Sequence, residues 1–257
     1  MKKSAATKPK SSIKVDDIFQ LGSHFLACGD ARDKELVKKL IGKEKIKAVI
    51  TDVPYGVAVA ESKQNFKTLL KNKVIVNDHI QSDAEYRRFT HDWIEAVKPY
   101  LERKNSFYIF NSDKMIFALR EGMAEAGITF SQLLIWVKNH SVIGRKDYLP
   151  MHELIAFGWY GTHDFKKSKD KSVLCFPKPN KSSLHPTMKP VGLVRHLILN
   201  STDIGDLVYS GFGGSGTDLI ACEQTKRRCF MVELDSEYCQ TIIDRFEKLT
   251  GFKSKKI

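Results

Sequence analysis

The stretch from Asp206 to Asp235 constrains the fold more than any other part of the chain. Asp206 to Tyr209 starts a β-prone run that enters the turn Gly211-Phe212-Gly213-Gly214-Ser215-Gly216. A helical pattern follows from about Thr217 to Gln224, then a second β-prone run, Cys229 to Val232, which ends on Glu233. Strand, glycine turn, helix, strand and terminal acid is the order of a nucleotide-binding βαβ unit. Glycines let the main chain approach a ligand and open the helix N-terminus. A carboxylate after the second strand can accept hydrogen bonds from ribose hydroxyls, and Gly216 to Glu233 is near the ~20-residue spacing such units use. A tight strand-to-helix connection also uses glycine, so the order of elements, more than the glycines, points to a nucleotide-like ligand. The turn lacks the lysine of a P-loop, which argues against a triphosphate.

The rest of the chain alternates in the same way. Ile46 to Thr51, Ser106 to Phe110, Leu133 to Val137 and Glu153 to Phe157 read as strands. Asp83 to Tyr100 reads as a helix, with a capping box at Ser82 and Glu85 and a buried face at Phe89, Trp93 and Val97. Asp113 to Ala126, closed by Gly127, Leu193 to Leu199 and Glu237 to Leu249 read as further helices. The fold class is therefore α/β with a mainly parallel sheet. Residues 1–20 read as a basic flexible tail and 21–257 as one domain. Within it, residues 138–183 look like an excursion from the core, with Lys166, Lys167, Lys169, Lys171, Lys178 and Lys181 between Phe165, Phe176 and prolines. Trp93, Trp136 and Trp159 read as core.

A chain of 257 residues, 42% hydrophobic, suffices for one substantial core. No apolar run reaches a membrane-spanning length of about 18 residues, and Met1 to Lys14 lacks the apolar segment of a secretory signal. The net charge of +12 favours a polyanionic partner, although solubility alone can account for charge. Cys28, Cys175, Cys222, Cys229 and Cys239 form no C-x-x-C pair, which suggests reduced thiols in a cytoplasm and argues against zinc.

Asp52-Val53-Pro54-Tyr55 follows the first of these strands directly. Ligands of parallel sheets sit at the C-terminal ends of strands. The Asp52 carboxylate and Val53 carbonyl can accept hydrogen bonds from an aryl amine, Pro54 biases Val53 towards an extended backbone, and Tyr55 can stack on a base taken out of its helix. A simple strand-end turn also uses Asp and Pro.

Taken together, the two ends resemble the DNA amino-methyltransferases, in the β arrangement. There a D-P-P-Y-type motif comes first, then a target-recognition segment, then an F-x-G-x-G motif. Gly29-Asp30, Trp136-Val137-Lys138-Asn139, His152-Glu153, His185-Pro186-Thr187-Met188-Lys189-Pro190 and Glu233-Leu234-Asp235 with Tyr238 also match, over residues 21 to 251. The resemblance implies a Rossmann-like, seven-stranded methyltransferase sheet with a reversed hairpin, helices on both faces and S-adenosylmethionine as cofactor. It implies that Asp30 lies near the adenine of the cofactor, that Glu233 holds the ribose hydroxyls, that Phe212, Gly213, Gly214, Ser215, Gly216 and Thr217 wrap the methionine part, and that Ala31, Ser210 and Asp235 also belong to the cofactor site. His185 is expected at the cofactor edge, with Thr187 and Lys189 on the methionine carboxylate. Asp52, Val53, Pro54 and Tyr55 are expected to hold the flipped base, with no metal and no covalent intermediate. Arg145, Lys146, Lys166 and Lys167 are expected to meet double-stranded DNA.

The sequence departs from the family in two places. Val53 stands where the family usually has Pro, and Ser210-Gly211 where it usually has Asp-Pro. The second change removes a carboxylate suited to the cofactor ammonium, which predicts weaker affinity or a substitute such as Asp218 or a water. Asp at the first catalytic position usually accompanies N6-adenine and Ser accompanies N4-cytosine, so Asp52 favours adenine. N4-cytosine methylation, a weakened module that binds cofactor and DNA, and an RNA substrate are the alternatives. A restriction endonuclease is a possible partner, and both monomer and homodimer fit the sequence.

Overall fold

A computed structural model describes residues 12–55, 82–141, 147–167, 169–178 and 188–257. The strands are β1 (Ile18–Leu21), β2 (His24–Cys28), β3 (Ile46–Asp52), β4 (Leu101–Asn111), β5 (Ile128–Val137), β6 (His152–Tyr160), β7 (Val173–Cys175), β8 (Leu207–Ser210), β9 (Arg228–Glu233) and β10 (Lys255–Lys256). They form one sheet in the order β10-β1-β2-β9-β8-β3-β4-β6-β5-β7. The seven inner strands from β2 to β5 are the expected methyltransferase sheet. β6 is antiparallel to both of its neighbours, so β5 and β6 make the reversed hairpin.

Among the described residues six helices flank the sheet: α1 (Lys34–Ile41), α2 (Asp83–Val97), α3 (Ile116–Glu125), α4 (Val191–Ser201), α5 (Thr217–Thr225) and α6 (Ser236–Thr250). α1, α2 and α3 pack into one apolar layer, with Trp93 and Leu119 fully buried. α4, α5 and α6 pack into the other, around Leu197, Leu219 and Phe246. Each such side chain contributes about 1.5–3 kcal/mol of burial. α2 begins as expected: Ser82 N–H donates to the Glu85 carboxylate at 2.8 Å, and Glu85 N–H returns a bond to Ser82 Oγ at 3.3 Å. Gly127, at φ +80, closes the turn after α3 in a left-handed conformation that favours glycine. Among the described residues no helix is long and apolar enough to cross a membrane.

The structure redraws two boundaries. The tail ends earlier than residue 20: Ile13 is buried in the second layer and β1 already begins at Ile18. Its strand needs only four residues because β2 and β10 pair with it on either side. The segment 138–183 is also not wholly an excursion. It contains β6, an interior strand whose Ile155 and Ala156 are fully buried, and β7, which extends the sheet beside β5.

Candidate functional site

β3 delivers Asp52 to the C-terminal edge of the sheet, beside the end of β4. β6 runs the other way, so its first residues, His152 and Glu153, emerge at that same edge. β5 ends there too, with Lys138 just beyond it. Five ionisable side chains meet as a result. Lys189 Nζ donates to Asp52 Oδ2 at 2.5 Å and to Glu153 Oε2 at 3.1 Å. Lys138 Nζ donates to Glu153 Oε1 at 2.8 Å. The Tyr55 hydroxyl lies 3.0 Å from both Asp52 Oδ1 and Glu153 Oε2. The two lysines balance the two carboxylates, as buried charges require.

The pKa directions follow from this geometry. Burial raises the Asp52 carboxyl above its ordinary value, with Lys189 opposing it. Burial would also raise Glu153, but Lys189 and Lys138 together hold it down to about 2. Burial and the two neighbouring carboxylates push Tyr55 well up, so it remains a hydroxyl donor. Lys189 is raised by Asp52 and Glu153 against the opposing effect of burial, so it remains an ammonium.

The loop after Asp52 is braced from below. Asn111 Nδ2 donates to the Tyr86 hydroxyl at 2.8 Å, and that hydroxyl donates to the Pro54 carbonyl at 2.9 Å. This chain fixes the backbone around Val53, whose side chain is buried. A prolyl ring at position 53 is not needed to hold it.

The glycine turn sits on the adjacent strand, after β8. Gly214 N–H donates to Glu233 Oε2 at 2.6 Å and Asp235 N–H to Glu233 Oε1 at 2.8 Å. Burial pushes this carboxyl up to about 7 in spite of both bonds. Gly216 adopts φ +78, and a side-chain carbon there would lie 3.0 Å from Ile242 of α6. Phe212 packs on Phe89 and Trp93, with ring centroids 5.6 and 5.9 Å away. Ser210 Oγ donates to Asp218 Oδ2 at 2.6 Å, so a carboxylate from the first turn of α5 stands where the Ser210-Gly211 pair lacks one. Burial pushes Asp218 up to about 7.

These residues suit an adenosine that carries an amino acid. Glu233 can accept ribose hydroxyls and Asp218 can pair with an ammonium. Trp93 Nε1 and the Tyr209 hydroxyl are among several buried polar groups that have no partner among the described residues. The Tyr209 hydroxyl lies next to Gly211 and feels the Asp30 charge, so it faces the same region. Unpaired buried donors are costly and fit a site that a polar ligand completes.

The other expected residues are placed unevenly. Ala31 is buried, and Asp30 lies beside it after β2, tied to Arg32 by a 2.6 Å contact; burial would raise it, but the arginine holds it below the usual range. Ser215 and Thr217 are buried in the turn, near Arg245 of α6. Asp235 Oδ1 accepts from the N–H groups of Glu237 and Tyr238, so this carboxylate caps α6. Lys189 is bound to Asp52 and Glu153, where the sequence pointed to a cofactor carboxylate. Lys166 lies at the opposite edge of the sheet, because the antiparallel β6 returns the chain there. It pairs with Asp164 at 3.0 Å and Asp203 at 2.7 Å, and the exposed Lys167 follows it. His185, Thr187, Arg145 and Lys146 lie outside the described residues. Sequence reasoning assigned no role to Lys138, Glu153, Tyr86 or Asn111. The available signal was that Lys138 and Glu153 flank the two strands of one hairpin.

A family model described as DNA methylase, of the N6/N4 methyltransferases, matches residues 46–244. The type II methyltransferase M.HpaI of Haemophilus parainfluenzae is 24% identical over 242 residues, covering 84% of this chain and 73% of that protein. M2.MboI of Moraxella bovis is 24% identical over 80% of this chain and 82% of its own length. Among solved structures, the M1.HpyAVI–SAM complex superposes with a TM-score of 0.63 at 26% identity, covering 86% of this chain and 98% of that one. The cytosine-N4-specific PvuII methyltransferase superposes with a TM-score of 0.63 at 17% identity, covering 89% and 93%, a likeness of fold.

Proposed function

The chain belongs to the N6/N4 DNA methylase family, which uses S-adenosylmethionine, and from that premise we propose that it methylates N6 of an adenine flipped out of duplex DNA. The observation that carries this reading is Asp52 at the C-terminal end of β3, held ready by Tyr55 and Lys189 beside a braced Val53–Pro54 backbone. The cofactor supplies an electrophilic methyl group on sulfur.

The chain's own residues do the rest. An exocyclic amino nitrogen is a poor nucleophile, because its lone pair is delocalised into the ring. Asp52 and the Val53 carbonyl accept its two N–H bonds and favour a pyramidal nitrogen. Positive charge develops on that nitrogen during transfer, and acceptors fixed in place beforehand stabilise it. Tyr55 offers a ring face to the base. Glu233 takes ribose hydroxyls, and Asp218, held by Ser210, takes the cofactor ammonium that the family's usual Asp would take. The parts of 138–183 outside β6 and β7, with Arg145 and Lys146, carry target recognition in this reading. An aspartate at position 52 supports adenine over cytosine. The braced loop and Asp218 support a working enzyme over a module that only binds.

The test is incubation of the protein with radiolabelled S-adenosylmethionine and mixed-sequence duplex DNA, followed by identification of the methylated nucleoside. N6-methyladenine that is lost in Asp52→Ala is expected, with kcat down by at least about 10²-fold. N4-methylcytosine would overturn the base assignment. Absence of any product would overturn the enzymatic reading.

A further inference from the structure

The Tyr55 hydroxyl has one proton and two carboxylate oxygens at the same distance, 3.0 Å. It can satisfy Asp52 or Glu153, not both at once. The lysines decide which carboxylate can do without it. Among the described residues, Glu153 has Lys138 on Oε1 and Lys189 on Oε2, whereas Asp52 has Lys189 on Oδ2 and Tyr55 on Oδ1. Glu153 therefore keeps an ionic partner on each oxygen whether or not Tyr55 points towards it. When a base N–H arrives at Asp52 Oδ1, the Tyr55 proton can turn to Glu153 without moving the ring. Glu153 itself cannot swing away, because Lys138 is almost fully buried and anchors it at the end of β5.

We propose that Glu153 and Lys138 are positioning residues, which set the charge of Asp52 and free its Oδ1 by taking the Tyr55 hydroxyl. This rests on the methyltransferase reading for its purpose, but its physical content concerns the unliganded protein. Among the described residues the groups facing Asp52 are Tyr55 on its own loop, Lys189 before α4 and Glu153 on β6, with Lys138 behind Glu153. Asp218 on α5 feels its charge from further off. Glu153 and Asp52 share an ammonium and a hydroxyl, so they lie within the ~6 Å over which like charges raise each other's pKa. Removing the Glu153 charge must then make Asp52 easier to ionise. Removing Lys138 must make it harder, because Glu153 is left less neutralised and draws Lys189 towards itself.

The experiment is a carboxyl NMR titration of full-length protein carrying ¹³C-labelled aspartate and glutamate, with Asp52→Asn and Glu153→Gln assigning the two resonances. In the wild type, Glu153 is expected to titrate below Asp52. In Glu153→Gln the Asp52 midpoint is expected to fall by about one unit, in Lys138→Met to rise by about one unit, and in Lys138→Arg to stay at the wild-type value. A residue needed only for folding would not move the midpoint in opposite directions. Unchanged midpoints, shifts of the same sign, or a Lys138→Arg protein that behaves like Lys138→Met would overturn the proposal. If the neutral variants do not fold, the wild-type order, with both carboxyl resonances assigned by through-bond correlation to their backbones, decides it, and a Glu153 that titrates above Asp52 refutes it. Failure of the wild type to methylate DNA would refute the function proposed above and leave this titration unaffected.

Discussion

Asp218 places a carboxylate where the protein alone has little use for one. It is buried, the Ser210 hydroxyl donates to it, and burial lifts it from 3.8 to about 7. Three units at ~1.4 kcal/mol each place the cost of keeping it ionised at on the order of 4 kcal/mol. A carboxyl raised on folding stabilises the native state fully below its unfolded pKa, near 4, and loses that contribution as pH rises through about 7. Asp218→Asn removes the titration and keeps an acceptor for Ser210, but buries an amide NH₂ at a cost of ~1–3 kcal/mol. The variant should therefore be less stable than wild type at pH 4 and more stable at pH 8, by about 1–3 kcal/mol. Urea denaturation without cofactor at both pH values measures this. The same variant should bind S-adenosylhomocysteine about 10–100-fold more weakly by calorimetry, the loss of one charged hydrogen bond. A stability difference that does not change sign between pH 4 and 8 would refute the burial argument. An unchanged affinity would remove Asp218 from the cofactor site.

Gly216→Ala forces an alanine to φ +78 with Ile242 3.0 Å from its Cβ, and should lower stability by about 1–2 kcal/mol in urea denaturation. Tyr86→Phe leaves the Pro54 carbonyl and the Asn111 amide without their shared partner; a loss of ~1–3 kcal/mol and a fall in kcat are expected in denaturation and methylation assays. DNA affinity should fall linearly on a log–log plot against salt, as a basic chain on phosphates requires, and a flat line would argue against that contact. Lys166→Ala should leave DNA affinity within about twofold, because Lys166 is paired with two aspartates at the edge away from Asp52.

The parts of the fold that the sequence reveals are those with a strong local pattern. α2 is legible because Ser82, Glu85, Phe89 and Trp93 combine a cap with a helical stripe, and the β8–α5–β9 unit because glycine, helix and acid come in order. β1, β2, α1, β7 and β10 have no such signature. β1 and β10 are very short strands, stabilised by what they pair with rather than by their own composition. Helix α1 is capped by Asp33, but it is only eight residues long and rich in lysine, so its stripe of Leu36, Val37, Leu40 and Ile41 is brief.

The candidate site divides along the same line. Asp52, Tyr55, Glu233 and the glycine turn belong to contiguous motifs, and each motif carries its own chemistry. Lys138, Glu153 and Lys189 are separated widely along the chain, and only the antiparallel turn of β6 brings Glu153 to the edge that β3 and β5 already occupy. That reversal has opposite consequences at its two ends. At its start it delivers an acid that both Lys138 and Lys189 neutralise, and at its finish it carries Lys166 to the far edge, beside Asp203. A count of basic residues within 138–183 cannot separate these cases, because the strand direction between them is a property of the sheet. Lysines of the same segment thus differ in surroundings: Lys138 holds a carboxylate beside Asp52, while Lys166 ties the sheet's lower edge to the end of α4 through its backbone N–H bond to the Asn200 carbonyl.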